Sequence, residues 1–353
     1  METVWEMIKN LVSEETVILD SACGYGGFLQ IPADCRKIGN DIDKYATKIA
    51  EKTEQEIYHH NALFEVSRQK FNIGENEKLI IVGNPPYNDV TSIIRSGVKQ
   101  QAFAIDADIK TRDLGMSFLL SFAKLKADYI CVLHPLSYLI KPANFALLGR
   151  FCREYRLINN LVISSAVFNT NKMQFPIVIA LYKRNASGMG FNCVANTSFA
   201  TEQGKKFKIK DFSFISDFIK KYPTKNYTPQ TGDIFFHTMR DLNALKRNKS
   251  FVLEYNSNTV AVDKNKLDYY AYVDAVKEFS SCFPYYFGNF DVLINPKLFA
   301  EYRQDFIKYA AYKYSFIKEH YQIKEISRDE QASAKLRIKD YFKKLLGEHY
   351  VAN

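Results

Sequence analysis

Four consecutive residues, Asn84-Pro85-Pro86-Tyr87, are the best equipped for chemistry in this 353-residue chain. Asn84 offers a side-chain carbonyl acceptor and an amide donor. Pro85 and Pro86 lack a backbone N–H and hold φ fixed, so the segment is stiff, while the Pro85 carbonyl stays free to accept. Tyr87 brings a flat face for stacking. Two acceptors beside an aromatic face suit a planar ring that carries an exocyclic amino group, and adenine is such a ring. A rigid Pro-Pro turn is the plain alternative. Position favours chemistry, because the apolar run 79–83 reads as a buried strand of a parallel sheet. The tetrapeptide then lies where that strand ends, the edge at which open α/β sheets bind ligands.

A second motif lies upstream. Residues 17–20 form a short apolar run ending in Asp20, followed by Ser21-Ala22-Cys23-Gly24-Tyr25-Gly26-Gly27. Glycines let a backbone turn with positive φ and approach a ligand closely. Another run, 37–41, ends in Asp41, 21 residues after Asp20. Nucleotide-binding folds place a ribose-binding carboxylate at about that spacing.

Together these motifs resemble the amino-group DNA methyltransferases that make N6-methyladenine in restriction–modification systems. Residues 20–27 resemble their first S-adenosylmethionine motif, and Asn84-Pro85-Pro86-Tyr87 resembles their catalytic tetrapeptide. Further likeness runs through 113–119, 129–139, 167–168 and 177–183, so that about residues 15–184 are covered. The cofactor motif precedes the catalytic one and the unmatched region comes last, which is the order of the family's gamma group. The resemblance implies a doubly wound, Rossmann-like S-adenosylmethionine-dependent methyltransferase fold over residues 1–186. A C-terminal mixed α/β, largely helical recognition domain would occupy 187–353.

The resemblance also implies residue roles. Asp20 would lie near the methionine amino group of the cofactor, with Ala22, Cys23, Gly24 and Gly26 forming the loop around it. Asp41 would take the ribose hydroxyls, Ile42 would cover one face of the cofactor adenine, and Asn61 would contact its edge. Asn84, bordering the cofactor, and the Pro85 carbonyl would accept from the amine of a flipped-out adenine. Pro86 stiffens the loop and Tyr87 stacks on the base. Phe168 is the candidate for its opposite face, with Phe175 competing. Thr3 is the candidate for an N-terminal cofactor contact. Methyl transfer to an amine is a direct displacement and asks for no metal. The implied partners are double-stranded DNA and a companion restriction endonuclease. RNA adenine and protein-glutamine methyltransferases share the tetrapeptide and remain alternatives, as does a non-catalytic DNA-binding module.

Composition bounds the reading. Residues 1–184 carry 22 Lys and Arg against 20 Asp and Glu, a net of +2; residues 185–353 carry 26 against 19, a net of +7. Excess positive charge in the second half suits a phosphate-lined partner. The six cysteines form no Cys-x-x-Cys pair, so neither zinc nor a disulfide framework is suggested, and a cytoplasmic location is expected. No run of 18 apolar residues occurs, so no membrane span is expected.

Periodicity places strands at 17–20, 37–41, 56–58, 79–83, 128–134, 160–165 and 176–183. Helices are predicted at 3–12, 43–53, 115–126 and 143–154. The alternation implies a doubly wound sheet, and the close spacing of the last two strands implies an antiparallel edge. Residues 88–112 read as a long polar loop that orders around DNA. Small residues at 185–190 read as a linker. Asn295-Pro296 reads as a helix start, with helix continuing to about 349 and a polar interruption near 327–333.

Overall fold

Runs rich in Val, Ile and Leu make the centre of the molecule's larger sheet. The computed structural model describes residues 1–87, 104–168, 174–224, 226–245 and 249–352. Its strands are β1 (Thr16–Asp20), β2 (Arg36–Asn40), β3 (Glu56–Tyr58), β4 (Lys78–Gly83), β5 (Tyr129–Pro135), β6 (Tyr155–Ser164) and β7 (Pro176–Arg184). They lie in the order β3-β2-β1-β4-β5-β7-β6. Pairs β2–β3, β1–β2, β1–β4 and β4–β5 are parallel, whereas β5–β7 is antiparallel. The fold is therefore the doubly wound, Rossmann-like α/β type, with the expected antiparallel element toward one edge. The chain works outward from β1 to β3 and then returns to add β4 on the other side of β1. The two central strands thus diverge in their connections, which opens a crevice at their carboxyl ends.

The burial pattern explains why β1 and β4 are central. All five residues of β1 and five of the six in β4 are buried, as a strand covered on both faces requires. Helix α1 (Glu2–Ile8), α2 (Lys44–Ala50) and α3 (Leu114–Lys124) belong to this unit. Asp43 caps α2 by accepting from the Tyr45 and Ala46 amides, and Asp113 caps α3 by accepting from that of Gly115.

The chain forms two units. Met1–Ile163 and Ile177–Lys206 make the first; Ser164–Pro176 and Phe207–Asn353 make the second. This differs from a single boundary at 186/187. The small residues at 185–190 are not a loose tether but a docked turn. Asn185 N–H donates to the Glu154 carbonyl (2.7 Å) and Met189 N–H to that of Cys152 (2.7 Å). Gly188 has φ +59°, and its backbone is pressed so close to the carbonyls of Cys152 and Arg153 that a side chain would collide. Small residues there serve close approach, which composition does not distinguish from flexibility.

The second unit is built on α4 (Leu267–Glu278), α5 (Pro296–Lys313) and α6 (Arg328–Leu346), with a small antiparallel sheet centred on Phe235–His237. Asn295 caps α5 through the Leu298 amide (3.1 Å), with Pro296 in the first turn. The polar stretch near 327–333 is the start of α6 rather than a break within a helix. Ser327 and Glu330 form a reciprocal capping box there. Tyr272 is fully buried among the rings of Phe299 (5.4 Å), Phe306 (5.0 Å) and Tyr341 (5.6 Å). Its hydroxyl donates to the Leu293 carbonyl at 2.5 Å, so the aromatic core carries no stranded phenol there. No helix among the described residues is long and apolar enough to cross a membrane.

One buried cation ties the first unit's loops together. Arg68 is 5% exposed, and its guanidinium donates to four backbone carbonyls: Leu125 (2.9 Å), Gly74 (2.8 Å), Glu77 (2.9 Å) and Lys126 (3.1 Å). It thereby fixes the lead-in to β4 against the end of α3. Arg68→Ala strands those acceptors and should destabilise the protein by about 3–5 kcal/mol, measured by urea unfolding. A loss below ~1 kcal/mol would show that water replaces the guanidinium without cost.

Candidate functional site

The end of β1 is built around a carboxylate that the surroundings do not satisfy. Asp20 is 2% exposed; its Oδ1 accepts from the Ala22 amide at 3.2 Å, and its Oδ2 has no hydrogen-bond partner. Burial pushes its pKa up to about 7, with the charge of Asp41 adding to the rise. The hydroxyl of buried Ser21 is likewise unpartnered.

The end of β4 meets this carboxylate directly. Gly83 has φ +143°, and a Cβ built there would sit 2.6 Å from Asp20 Oδ1. Only glycine admits both the conformation and the contact. The next residue is Asn84, whose Oδ1 is also buried and unpartnered. Among the described residues five buried side-chain polar atoms lack partners, and three of them, on Asp20, Ser21 and Asn84, lie where β1 and β4 end side by side. Buried polar atoms are ordinarily paired, so this concentration marks a place prepared for a ligand.

The glycine-rich turn is braced from β2. Asp41 Oδ2 accepts from the Gly24 amide at 2.8 Å, and its Oδ1 from the Asp43 amide at 2.9 Å. Asp41 therefore holds the turn, with its remaining lone pairs left for another donor. Asn40, fully buried, donates to the Ser21 carbonyl (3.0 Å) and the His60 carbonyl (3.1 Å) and accepts from the His60 amide (2.9 Å). It locks the turn after β1 to the loop after β3. Nothing in the local sequence marks Asn40 for this role, although it immediately precedes Asp41. Gly24 has φ +51° and open space where a Cβ would stand, whereas Gly26, with φ +81°, is packed on Ala50 and Thr53. Cys23 is buried and its thiol pushed up to about 12 by desolvation, as suits a space-filler. Ala22 is half-buried, and Tyr25 and Ile42, which follow Gly24 and Asp41 in the chain, are exposed. Asn61 has both amide atoms engaged, accepting from the Leu63 amide (3.0 Å) and donating to the Ala104 carbonyl (2.7 Å). Thr3 is half-buried on α1.

The segment Asn84–Tyr87 is clamped from α3. Pro85 is buried, Pro86 exposed and Tyr87 half-buried. Gly115 admits the segment: a Cβ there would stand 2.9 Å from Tyr87 Cβ and 2.6 Å from the Tyr138 hydroxyl. That hydroxyl donates to Asp113, the residue capping α3. Behind it, His134 stacks on the Tyr138 ring (centroids 5.3 Å apart). The Tyr182 hydroxyl lies 2.7 Å from His134 Nε2, and the Pro135 carbonyl lies 3.0 Å from Nδ1. Burial lowers the His134 pKa to about 4, so a neutral ring donates to the carbonyl and accepts from the phenol. Of the expected loop 88–112, residues 88–103 lie outside those described. Asp106, beyond them, accepts from the Glu65 and Val66 amides and from Lys124.

The two aromatic candidates lie in the second unit's first segment. Phe168 is 40% exposed, while Phe175 is half-buried and tied to Ser165 through both its amide and its carbonyl (3.0 Å each). Exposure leaves Phe168 the freer ring.

No protein-family model and no curated protein matches the chain. Solved structures resemble it over about half its length. A structure described as a modification subunit of a type I restriction enzyme from Vibrio vulnificus aligns over 59% of this chain and 49% of its own, with TM-score 0.40 and 15% identity. A structure described as a class I S-adenosylmethionine-dependent methyltransferase from Listeria monocytogenes aligns over 57% and 62%, with TM-score 0.39 and 13% identity. One described as an RNA methyltransferase from Pyrococcus horikoshii aligns over 52% and 81%, with TM-score 0.33 and 16% identity. The chain thus spans about half the length of the first of these and less than two thirds of the second.

Asp20 yields a stability test. Its carboxyl keeps its proton to about pH 7 when folded but loses it near 3.8 when unfolded. Between those values the native state binds more protons, so stability falls as pH rises, by on the order of a few kcal/mol in all. Asp20→Asn removes this loss. Ligand-free Asp20→Asn should resist urea better than the parent at pH 8, with the gap closing toward pH 4. A constant gap across that range would place the carboxylate in a more solvated site than the structure shows.

Proposed function

We propose that this chain is a DNA adenine-N6 methyltransferase that uses S-adenosylmethionine and acts at a specific site, as part of a restriction–modification system. The observation that carries the reading is the unpartnered, buried Asn84 carbonyl oxygen at the strand switch, one residue from the Gly83–Asp20 contact. An acceptor kept dry and unused at that position is matched to an N–H donor brought by a substrate.

The residues fit the cofactor. Asp20 Oδ2 and Ser21 Oγ await donors, and an ammonium such as that of the methionine moiety supplies them while offsetting the cost of the buried carboxylate. The open space at Gly24 leaves room beside the turn, Asp41 retains lone pairs for ribose hydroxyls, and Ile42 offers an apolar face. Bound there, S-adenosylmethionine supplies a methyl group made electrophilic by the sulfonium.

The chain's own part is alignment. Asn84 Oδ1 and the Pro85 carbonyl accept from the two hydrogens of the adenine amine. This holds them on the protein side and turns the nitrogen lone pair out of the ring plane. Tyr87, fixed through Gly115, stacks on the base. Positioning of this kind supplies much of the acceleration of a displacement reaction. Extrusion of the base from the duplex costs on the order of a few kcal/mol, which stacking and phosphate contacts offset. The second unit, in the half of the chain with net charge +7, reads the DNA sequence.

Asn84→Ala should cut methyl incorporation into duplex DNA by about 100-fold or more, the scale of losing one well-aimed hydrogen bond to a reacting group. Its S-adenosylmethionine affinity should stay within about twofold of the parent by calorimetry, a change of under ~0.5 kcal/mol. Near-parental turnover would remove Asn84 from the chemistry. Parallel loss of both activities would make it a cofactor residue.

A further inference from the structure

The second unit contains a cavity of about 540 Å³ between α4, the start of the strand at Phe251–Val252, and the end of α5. Three lysines line it, Lys249, Lys277 and Lys313, with Asp274 and Glu278. Both carboxylates are already occupied. Asp274 takes Lys313 (3.4 Å) and the Tyr314 hydroxyl (3.1 Å). Glu278 takes Lys313 (2.7 Å), Lys335 (3.2 Å) and the Tyr309 hydroxyl. Lys313 is thereby spent, whereas Lys249 and Lys277 make no ion pair among the described residues. Lys277 is half-buried, and desolvation lowers its pKa, with the charge of Asp274 opposing the fall and that of Lys313 adding to it. A half-buried ammonium without an ion pair is costly, and an anion beside it offsets that cost.

A second hollow of about 260 Å³ adjoins the first at Ser280, which lines both. Asn243 and Gln174 also line it. Gln174 belongs to the segment Ser164–Pro176 that also carries Phe168, and its carbonyl accepts from Asn243 Nδ2 at 3.1 Å. A groove therefore runs within this unit from two unpaired lysines to the segment bearing the candidate base-stacking ring.

We propose that this groove is a track for the DNA backbone, with Lys249 and Lys277 holding one strand phosphate and the strand continuing past Ser280 toward Gln174. This rests on the proposed function and locates a phosphate contact for it. The ligand chemistry is a phosphate monoanion. A strand suits it better than a free ion, because a free ion would leave the polar continuation past Ser280 unused. Phosphate contacts set register and leave base reading to other side chains.

The test uses the full chain. Duplex DNA carrying a methylated site is titrated against the parent, Lys249→Ala, Lys277→Gln and Lys277→Arg at several salt concentrations. Lys249 is exposed, so its loss cannot unfold the protein, and S-adenosylmethionine affinity checks the others. Lys249→Ala and Lys277→Gln should each weaken DNA binding roughly tenfold, the scale of one charge-assisted contact. Each should also flatten the log–log salt slope by about 0.9, the value for one neutralised phosphate, while Lys277→Arg stays near the parent. Unchanged affinity and slope in a parent that does methylate DNA would overturn the track and leave the proposed function standing. Stabilisation of the parent by inorganic phosphate, lost in both variants while their DNA affinity is unchanged, would assign the cavity to a free anion and overturn the track equally. A parent that methylates no DNA would instead sink the proposed function itself.

Discussion

The approach of the Asp20 carboxylate to the backbone of Gly83 is the contact on which the rest of the site depends. It occurs because β1 and β4 are neighbours in the sheet although 62 residues separate Asp20 from Gly83 in the sequence. The chain leaves β1 in one direction and resumes beside it from the other, so their carboxyl ends face a common crevice. Glycine at 83 keeps that crevice narrow. It brings the unpartnered Asp20 Oδ2 and the unpartnered Asn84 Oδ1 to the same strand ends. Two loops far apart in sequence thereby become one site.

Rigidity around the crevice comes from side chains that brace its loops. Asn40 and Asp41 brace the turn after β1 and the loops beside it with five hydrogen bonds to backbone groups. Gly115, Tyr138 and Asp113 fix Tyr87 from the other. His134 extends this support into the core as a neutral ring between two phenols. Unpartnered atoms are tolerated at Asp20, Ser21 and Asn84 because satisfied networks surround them; the energy that folding forgoes there is available on binding.

Much of this was legible in the sequence. The central strands β1, β4, β5 and β7 were visible as apolar runs, since a strand buried on both faces has little choice of residue, whereas the half-exposed β6 begins at Tyr155, five residues before the run expected at 160–165. The two chemical motifs were visible because glycine, proline and acid punctuate strand ends. What stayed hidden depends on residues distant in sequence. Gly83 looks like the last apolar position of a strand until Asp20 is placed against it. Asp41 looks like a ligand residue and proves to be a brace for Gly24 as well. Asn61 looks like an edge contact for a nucleotide, yet its amide is bound to Leu63 and Ala104. The stretch 185–190 has the composition of a linker, but Gly188 is small because Cys152 and Arg153 lie against it. The insertion of Ser164–Pro176 into the second unit has no local signature at all.

Sequencing of DNA from a methylation-free host that expresses the full chain tests the central claim most directly, because it reports the modified atom and its surroundings together. The account predicts N6-methyladenine confined to one sequence context, absent when Asn84 is replaced. Unmodified DNA from a host making folded, S-adenosylmethionine-binding protein would contradict it, as would methylation on cytosine instead of adenine.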